Sequence, residues 1–153
     1  MASPERQPPP PPLAVRASLA ARRDLSTIRV LAIATQGAGS TDEARLRTML
    51  SGFDAEIVPF NRAARLGMLR DLVRKIRTQN YEIVALEGTG IAGGLAAILG
   101  RLTAGVPYVV STGDAVAPFL RRVSPLNAPF ADLYERALYR LSVEYSRLFA
   151  SIC

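Results

Sequence analysis

Apolar positions in this chain come in short blocks rather than in strict alternation. Ile28–Ala34, Ala55–Phe60, Ile83–Leu86 and Tyr108–Val110 are mostly apolar runs with few polar positions between their hydrophobic residues. Runs of this kind mark strands buried on both faces, as in a parallel sheet. The segments between them carry helical periods. Ser40 with Glu43 three residues on forms a capping box, which predicts a helix from there to about Ser51 with Gly52 as its stop. Leu66–Thr78 places Leu66, Leu69, Val73 and Ile76 on one helical face and Arg70, Arg74 and Arg77 on another. Ile91–Ala104 is a small-residue helix closed by Gly105.

Beyond the fourth run, Asp114 is placed to cap a further helix through Arg122, kept short or bent by Pro118. Ser124–Asn127 breaks the chain. A longer helix then runs to about Arg147, with Phe130, Leu133, Ala137, Leu141 and Tyr145 at helical spacing, and Leu148–Ile152 reads as a fifth strand. Five β–α repeats without a hairpin signal predict an α/β fold, a Rossmann-like doubly wound parallel sheet, with expected strand order 3-2-1-4-5. Ligands of such sheets sit beyond the carboxyl ends of the strands where the order reverses, here expected between strands one and four. Three loops should therefore crowd one edge: Gln36–Ser40, Glu87–Gly90 and Thr112–Asp114.

Composition narrows the chemistry. The chain has 153 residues and 49% apolar content, enough for one domain with a substantial core. It contains no histidine, which removes Ser-His-Asp and Cys-His catalysis together with the commonest metal ligand, and no metal site is expected. A single cysteine, Cys153, gives neither a disulfide framework nor a zinc spacing. The net charge of +6 comes from eighteen arginines and one lysine in an alanine-rich chain, without the aromatic interleaving of a single-strand binder, so no nucleic-acid partner is expected. The longest unbroken apolar run, Ile91–Gly100, spans ten residues and is too short to cross a bilayer. Residues 1–26 include the five prolines Pro8–Pro12 followed by Arg16, Arg22 and Arg23, and are expected to form a disordered Pro/Arg-rich tail, an amphipathic surface or transit helix over Leu13–Leu25 being the alternative. The domain is expected over 27–153.

Four features carry candidate chemistry. Gly88-Thr89-Gly90-Ile91-Ala92-Gly93 matches G-x-G-x-x-G after a strand and before a helix, with Asp114 near the end of the next strand. It falls in the third β–α unit and too little chain follows for a second nucleotide half, and close helix–sheet packing asks for the same small residues. Gly37-Ala38-Gly39 would let backbone N–H groups approach an anion at a helix N-terminus, or simply serve a tight turn. Glu87 and Asp114 are acids at strand ends that could bind sugar hydroxyls or accept a proton. The bland alternatives are a helix cap for Asp114 and a solvated strand end for Glu87. The helix with Arg70, Arg74, Lys75 and Arg77, preceded by Arg62 and Arg65 and opposed only by Asp71, could lie on anionic headgroups. Its leucines are expected to be required by the core, which favours an ordinary surface helix.

Taken together, R-V-L-A-I-A-T-Q-G-A-G-S, Y-E-I-V-A-L-E-G-T-G with its small-residue helix, G-V-P-Y-V-V-S-T-G-D and the closing Tyr134–Cys153 segment resemble the N-terminal domain of family 4 glycosyltransferases, the retaining enzymes of the two-domain GT-B fold. The resemblance covers about residues 28–153 and implies one half of a GT-B architecture. It implies that Gly37 and Gly39 lie against the donor diphosphate, and that Gln36, Glu87, Gly88, Thr89, Gly90, Thr112 and Gly113 line the acceptor side. Asp114 would match the acid of a His-Asp pair and is the catalytic candidate; Gly113 stands where the histidine would be. The implied partners are a nucleotide-sugar donor, a sugar or lipid-linked acceptor, and a missing C-terminal donor domain or partner subunit. No separate cofactor is implied. The expected location is cytoplasmic, with peripheral contact at the membrane inner face allowed. Alone, such an acceptor half should be inactive. Two other readings remain open: a non-catalytic Rossmann-like binding module, and an NAD(P)-binding fragment.

Overall fold

Strands β1 (Arg29–Ala34), β2 (Asp54–Pro59), β3 (Ile83–Glu87) and β4 (Tyr108–Ser111) form one all-parallel sheet in a computed structural model that describes residues 24–88, 90–111, 116–123 and 128–143. Helices α1 (Thr41–Met49), α2 (Arg65–Thr78), α3 (Ile91–Ala104), α4 (Val116–Val123) and α5 (Ala128–Leu141) flank it, giving the Rossmann-like α/β architecture that the blocked pattern predicts. The fifth strand expected at Leu148–Ile152 and most of the N-terminal tail lie outside the described residues. Of that tail, Leu25–Thr27 form a 3-10 turn in which the Asp24 side chain accepts from Ser26 N–H at 3.1 Å.

The strand order is β2-β1-β3-β4, not the expected 3-2-1-4-5. β3 lies directly beside β1, with Val30 opposite Ile83 and Ala34 opposite Glu87, and β4 lies outside β3. The reason is in the strands themselves. β2 carries Asp54, Glu56 and Pro59 and is only half-buried, as suits an edge. β3 is buried over Val84–Glu87 and suits an interior position. The expected order would have flanked the polar strand on both sides and pushed an apolar one to the rim. The reversal of strand order therefore falls between β1 and β3.

Alternate residues of β1 feed two layers. Val30, Ala32 and Ala34 pack with Leu46 of α1, while Leu31 and Ile33 join the larger core under α2, α3 and α5. Two helices face the core differently from the expected stripes. In α2 Ile76 is buried and Leu69 and Val73 pack half-buried against the core, as the stripe expects, with Leu72 buried beside them, whereas Leu66 is 84% exposed. In α5 they are Ala131, Tyr134 and Leu138, while Phe130 and Leu133 of the expected stripe face outward. α5 also ends at Leu141 rather than near Arg147, because the chain returns to the free edge of β4, where Val143 N–H donates to the Tyr108 carbonyl at 3.0 Å. Glycines in α3 permit close helix contacts. A Cβ on Gly94 would lie 1.9 Å from the Tyr134 hydroxyl, and one on Gly100 would lie 2.7 Å from Ile76 Cγ2.

Tyr108 ties β4 to α5. Its ring is fully buried, and its hydroxyl donates to the Leu138 carbonyl at 2.6 Å. That carbonyl is among the last four of the helix, which have no partner inside it. Tyr108→Phe is expected to leave the carbonyl unsatisfied and to cost about 1–2 kcal/mol, read as a lower urea midpoint with unchanged slope.

Candidate functional site at the carboxyl edge of the sheet

The loops that follow β1 and β3 meet beyond the strand ends because their strands are neighbours. Thr35 N–H donates to the Glu87 carbonyl at 3.1 Å and Gly88 N–H to the Ser111 carbonyl at 2.9 Å, so the ladder runs one residue past the strands. Gln36, Gly37, Gly39, Glu87, Gly88 and Gly90 thus share one rim. Thr89, Thr112, Gly113 and Asp114 lie outside the described residues.

Three acids and a cation organise this rim. Asp42, in the first turn of α1, is buried; its Oδ2 accepts from Gln36 N–H at 3.2 Å and the Thr35 hydroxyl at 3.4 Å. Ser40 caps α1, its Oγ accepting from Glu43 N–H at 3.3 Å and donating to the Gly37 carbonyl at 2.7 Å. The Glu43 carboxylate accepts from Gly39 N–H at 2.7 Å and from Arg47 at 2.6 Å. Glu87 ends β3 on the sheet face that α1 covers. Arg45 of α1 reaches its Oε1 at 3.1 Å, and most of the Arg45 side chain remains in solvent.

Glu87 is not the solvated strand end that its position suggests. It is 1% exposed, and its Oε2 is buried without a hydrogen-bond partner among the described residues. A buried carboxylate oxygen left unpaired is costly. Burial pushes the Glu87 pKa up from the ordinary carboxylate value; the Ser111 hydroxyl and Arg45 oppose the rise, and Asp42 adds to it. The group is therefore biased toward holding a proton, or toward accepting one from a hydroxyl brought to Oε2.

The glycines have intrachain reasons. At φ +96°, Gly88 is in the left-handed region, and a Cβ there would stand 2.3 Å from the Thr35 hydroxyl and 2.5 Å from Asp42 Oδ2. A Cβ on Gly90 would meet the Thr35 Cβ at 2.5 Å, and one on Gly93 would meet Leu86 at 3.0 Å. The G-x-G-x-x-G spacing is filled by the protein's own side chains. Gly37 N–H donates to the Ala34 carbonyl at 3.3 Å, so Gly37 and Gly39 both direct their N–H groups to acceptors within the chain. An anion approaching this loop would have to displace Glu43 from Gly39.

The strand-end acid Glu87 and the two glycine loops expected from sequence are brought together, with Ser111 at the end of β4 beside them. Thr35, Asp42 and Arg45 were not singled out, although they govern the rim. Asp42 and Arg45 lie three apart at the start of a capped helix and so share a face, the one sequence signal that could have found them. Among the described residues no group of three or more Cys, Asp or Glu is placed to hold a metal ion, and no helix is long and apolar enough to cross a membrane. Comparison of the chain with protein-family models, with curated proteins and with solved structures finds no match.

Proposed function

We propose that this domain is the acceptor-side half of a sugar-transferring enzyme of the GT-B type, and that the acceptor hydroxyl is received by Glu87. The observation that carries this reading is the buried Oε2 of Glu87, without a hydrogen-bond partner among the described residues, at the point where strand order reverses. Open α/β sheets bind their ligands at that point. A hydroxyl donating to Oε2 would satisfy that oxygen. A carboxylate with a raised pKa is a suitable acceptor for the hydroxyl proton as the acceptor oxygen bonds to the sugar's anomeric carbon and the bond from that carbon to the nucleoside diphosphate breaks, the diphosphate leaving with the donor side. Arg45, already paired with Oε1 and mostly in solvent, supplies positive charge beside the same crevice. The nucleotide sugar would be held by a second domain or subunit, since retaining transfer requires donor and acceptor to be clamped together.

One observation favours the non-catalytic binding module instead. The N–H groups of Gly37 and Gly39, which the resemblance assigns to a diphosphate, already have partners. Titrating isotope-labelled protein with mono- and disaccharides, and separately with nucleotide sugars, tests both readings. The transfer reading expects millimolar sugar binding, of the order seen for small hydroxylic ligands, with amide shifts confined to residues 35–40 and 87–91. It also expects no turnover by this chain alone. Absence of any sugar response, or shifts elsewhere on the sheet, overturns it. Nucleotide binding without sugar binding would favour the module.

A further inference from the structure

The outer face of α2 and α3 carries apolar surface that the core does not use. A groove of about 530 Å³ runs between the two helices, floored by Leu69, Val73 and Leu99 and rimmed by Arg70, Arg74 and Arg77. Leu66, at one end, is 84% exposed, and Leu102, one turn beyond Leu99 on α3, is 64% exposed. α2 meets the core through Leu72 and Ile76, with Met68, Leu69 and Val73 packed half-buried against it, while Leu66, Leu99 and Leu102 remain exposed. Of the three arginines, only Arg74 has an acidic partner among the described residues, Asp71 at 3.0 Å. No acidic residue lines the groove.

We propose that this face docks the protein on an anionic lipid bilayer, with Leu66, Leu99 and Leu102 entering the headgroup–acyl boundary and Arg70 and Arg77 contacting lipid phosphates. The combination decides the occupant. Leucines interleaved with arginines, of which Arg70 and Arg77 have no acidic partner among the described residues, match a surface that is negative outside and apolar within. A second copy of the chain would bring arginines against arginines. Leu66, Arg70, Val73, Arg74 and Arg77 recur at i, i+4, i+7, i+8 and i+11 of one helix, so a single face of α2 carries leucine and arginines together. The proposal does not depend on the sugar site.

Sedimentation of the full chain with vesicles tests it. Binding to phosphatidylglycerol-containing vesicles is expected, with little binding to phosphatidylcholine alone, and with weakening as salt rises. The double variant R70S/R77S is expected to bind about thirtyfold more weakly, the effect of two basic residues near a charged surface. Leu66→Ser is expected to weaken binding about tenfold, consistent with partial burial of one leucine. All three residues are exposed, so the variants should keep the wild-type circular dichroism spectrum. A third variant, R16S/R22S/R23S, separates the groove from the basic N-terminal segment. The proposal is overturned if that variant abolishes binding while R70S/R77S does not, or if neutral vesicles bind equally well. It is also overturned if the chain ignores anionic vesicles, or if Leu66→Ser disrupts a dimer rather than vesicle binding.

Discussion

Gly88→Ala is expected to destabilise the domain by about 3–5 kcal/mol, the sum of left-handed backbone strain and local overpacking. At φ +96° the backbone is unfavourable for any residue with a Cβ, and the Cβ would be driven into the Thr35 hydroxyl and the Asp42 carboxylate. Those two side chains cannot simply move aside. Asp42 holds Gln36 N–H, and both residues are buried between the β1–α1 loop and α3. Gly39→Ala provides the contrast. Gly39 has φ +72° with nothing within 4 Å of its would-be Cβ, so strain alone should apply, about 1 kcal/mol. Thermal melts should show a fall of roughly 10 °C or more for Gly88→Ala and only a few degrees for Gly39→Ala. Equal falls would mean that the packing of Thr35 and Asp42 against Gly88 contributes nothing.

Glu87→Gln should separate stability from binding. The folded-state pKa of Glu87 is raised above its unfolded value, with burial the largest cause. Below about pH 4.5, its ordinary value, both states are protonated and the group is neutral with respect to folding. As pH rises through the interval between the unfolded and folded values, the unfolded chain ionises first and stability falls. Above the folded value the full penalty persists. The glutamine has no charge to bury, so the variant should be more stable than the wild type at pH 7 and nearly equal to it at pH 4. Urea denaturation at pH 4, 5.5 and 7 would show the two curves converging toward acid. A wild type that gains stability over the variant between pH 4 and pH 7 would contradict the assignment of burial as the dominant cause. On the functional side, sugar binding should weaken ten- to a hundredfold, the usual consequence of losing a charged acceptor. A variant that is stabilised at pH 7 yet binds sugars as before would retain the electrostatic account and remove Glu87 from the acceptor site.

β1, β3 and β4 were legible because a parallel strand covered on both faces is mostly apolar, Val30–Ala34 being the plainest case, and the half-buried edge strand β2 was legible from Ala55, Ile57 and Val58 despite its acids. The capping of α1 by Ser40 and the stop at Gly105, whose φ is +72°, were legible because local chemistry decides them. The inferred strand order, 3-2-1-4-5, was wrong, although the acids of β2 hinted at an edge. Two orders of the same repeats share identical local patterns and differ only in which crossover lies beside β1. The outward turn of Leu66 was hidden for a similar reason. A helical stripe shows which residues lie together, but the depth at which a neighbouring helix seats determines which part of the stripe is covered. Glu87 was misjudged because it is enclosed by tertiary structure that its neighbours in sequence do not announce, and its ion-pair partner, Arg45, lies 42 residues earlier in the chain. The small-residue run after β3 was read both as a nucleotide fingerprint and as packing, and the contacts of Gly88, Gly90 and Gly93 account for it as packing.

The notches in α3 reach beyond single substitutions. Ile76 occupies the one at Gly100 and Tyr134 the one at Gly94, so α3 fits between α2 and α5 like a key cut on two sides. Enlarging position 94 without trimming position 134, or position 100 without position 76, would force the helices apart. Homologous sequences should therefore show paired exchanges at 94/134 and at 76/100, and a designer wishing to graft this domain would have to transplant each pair as a unit.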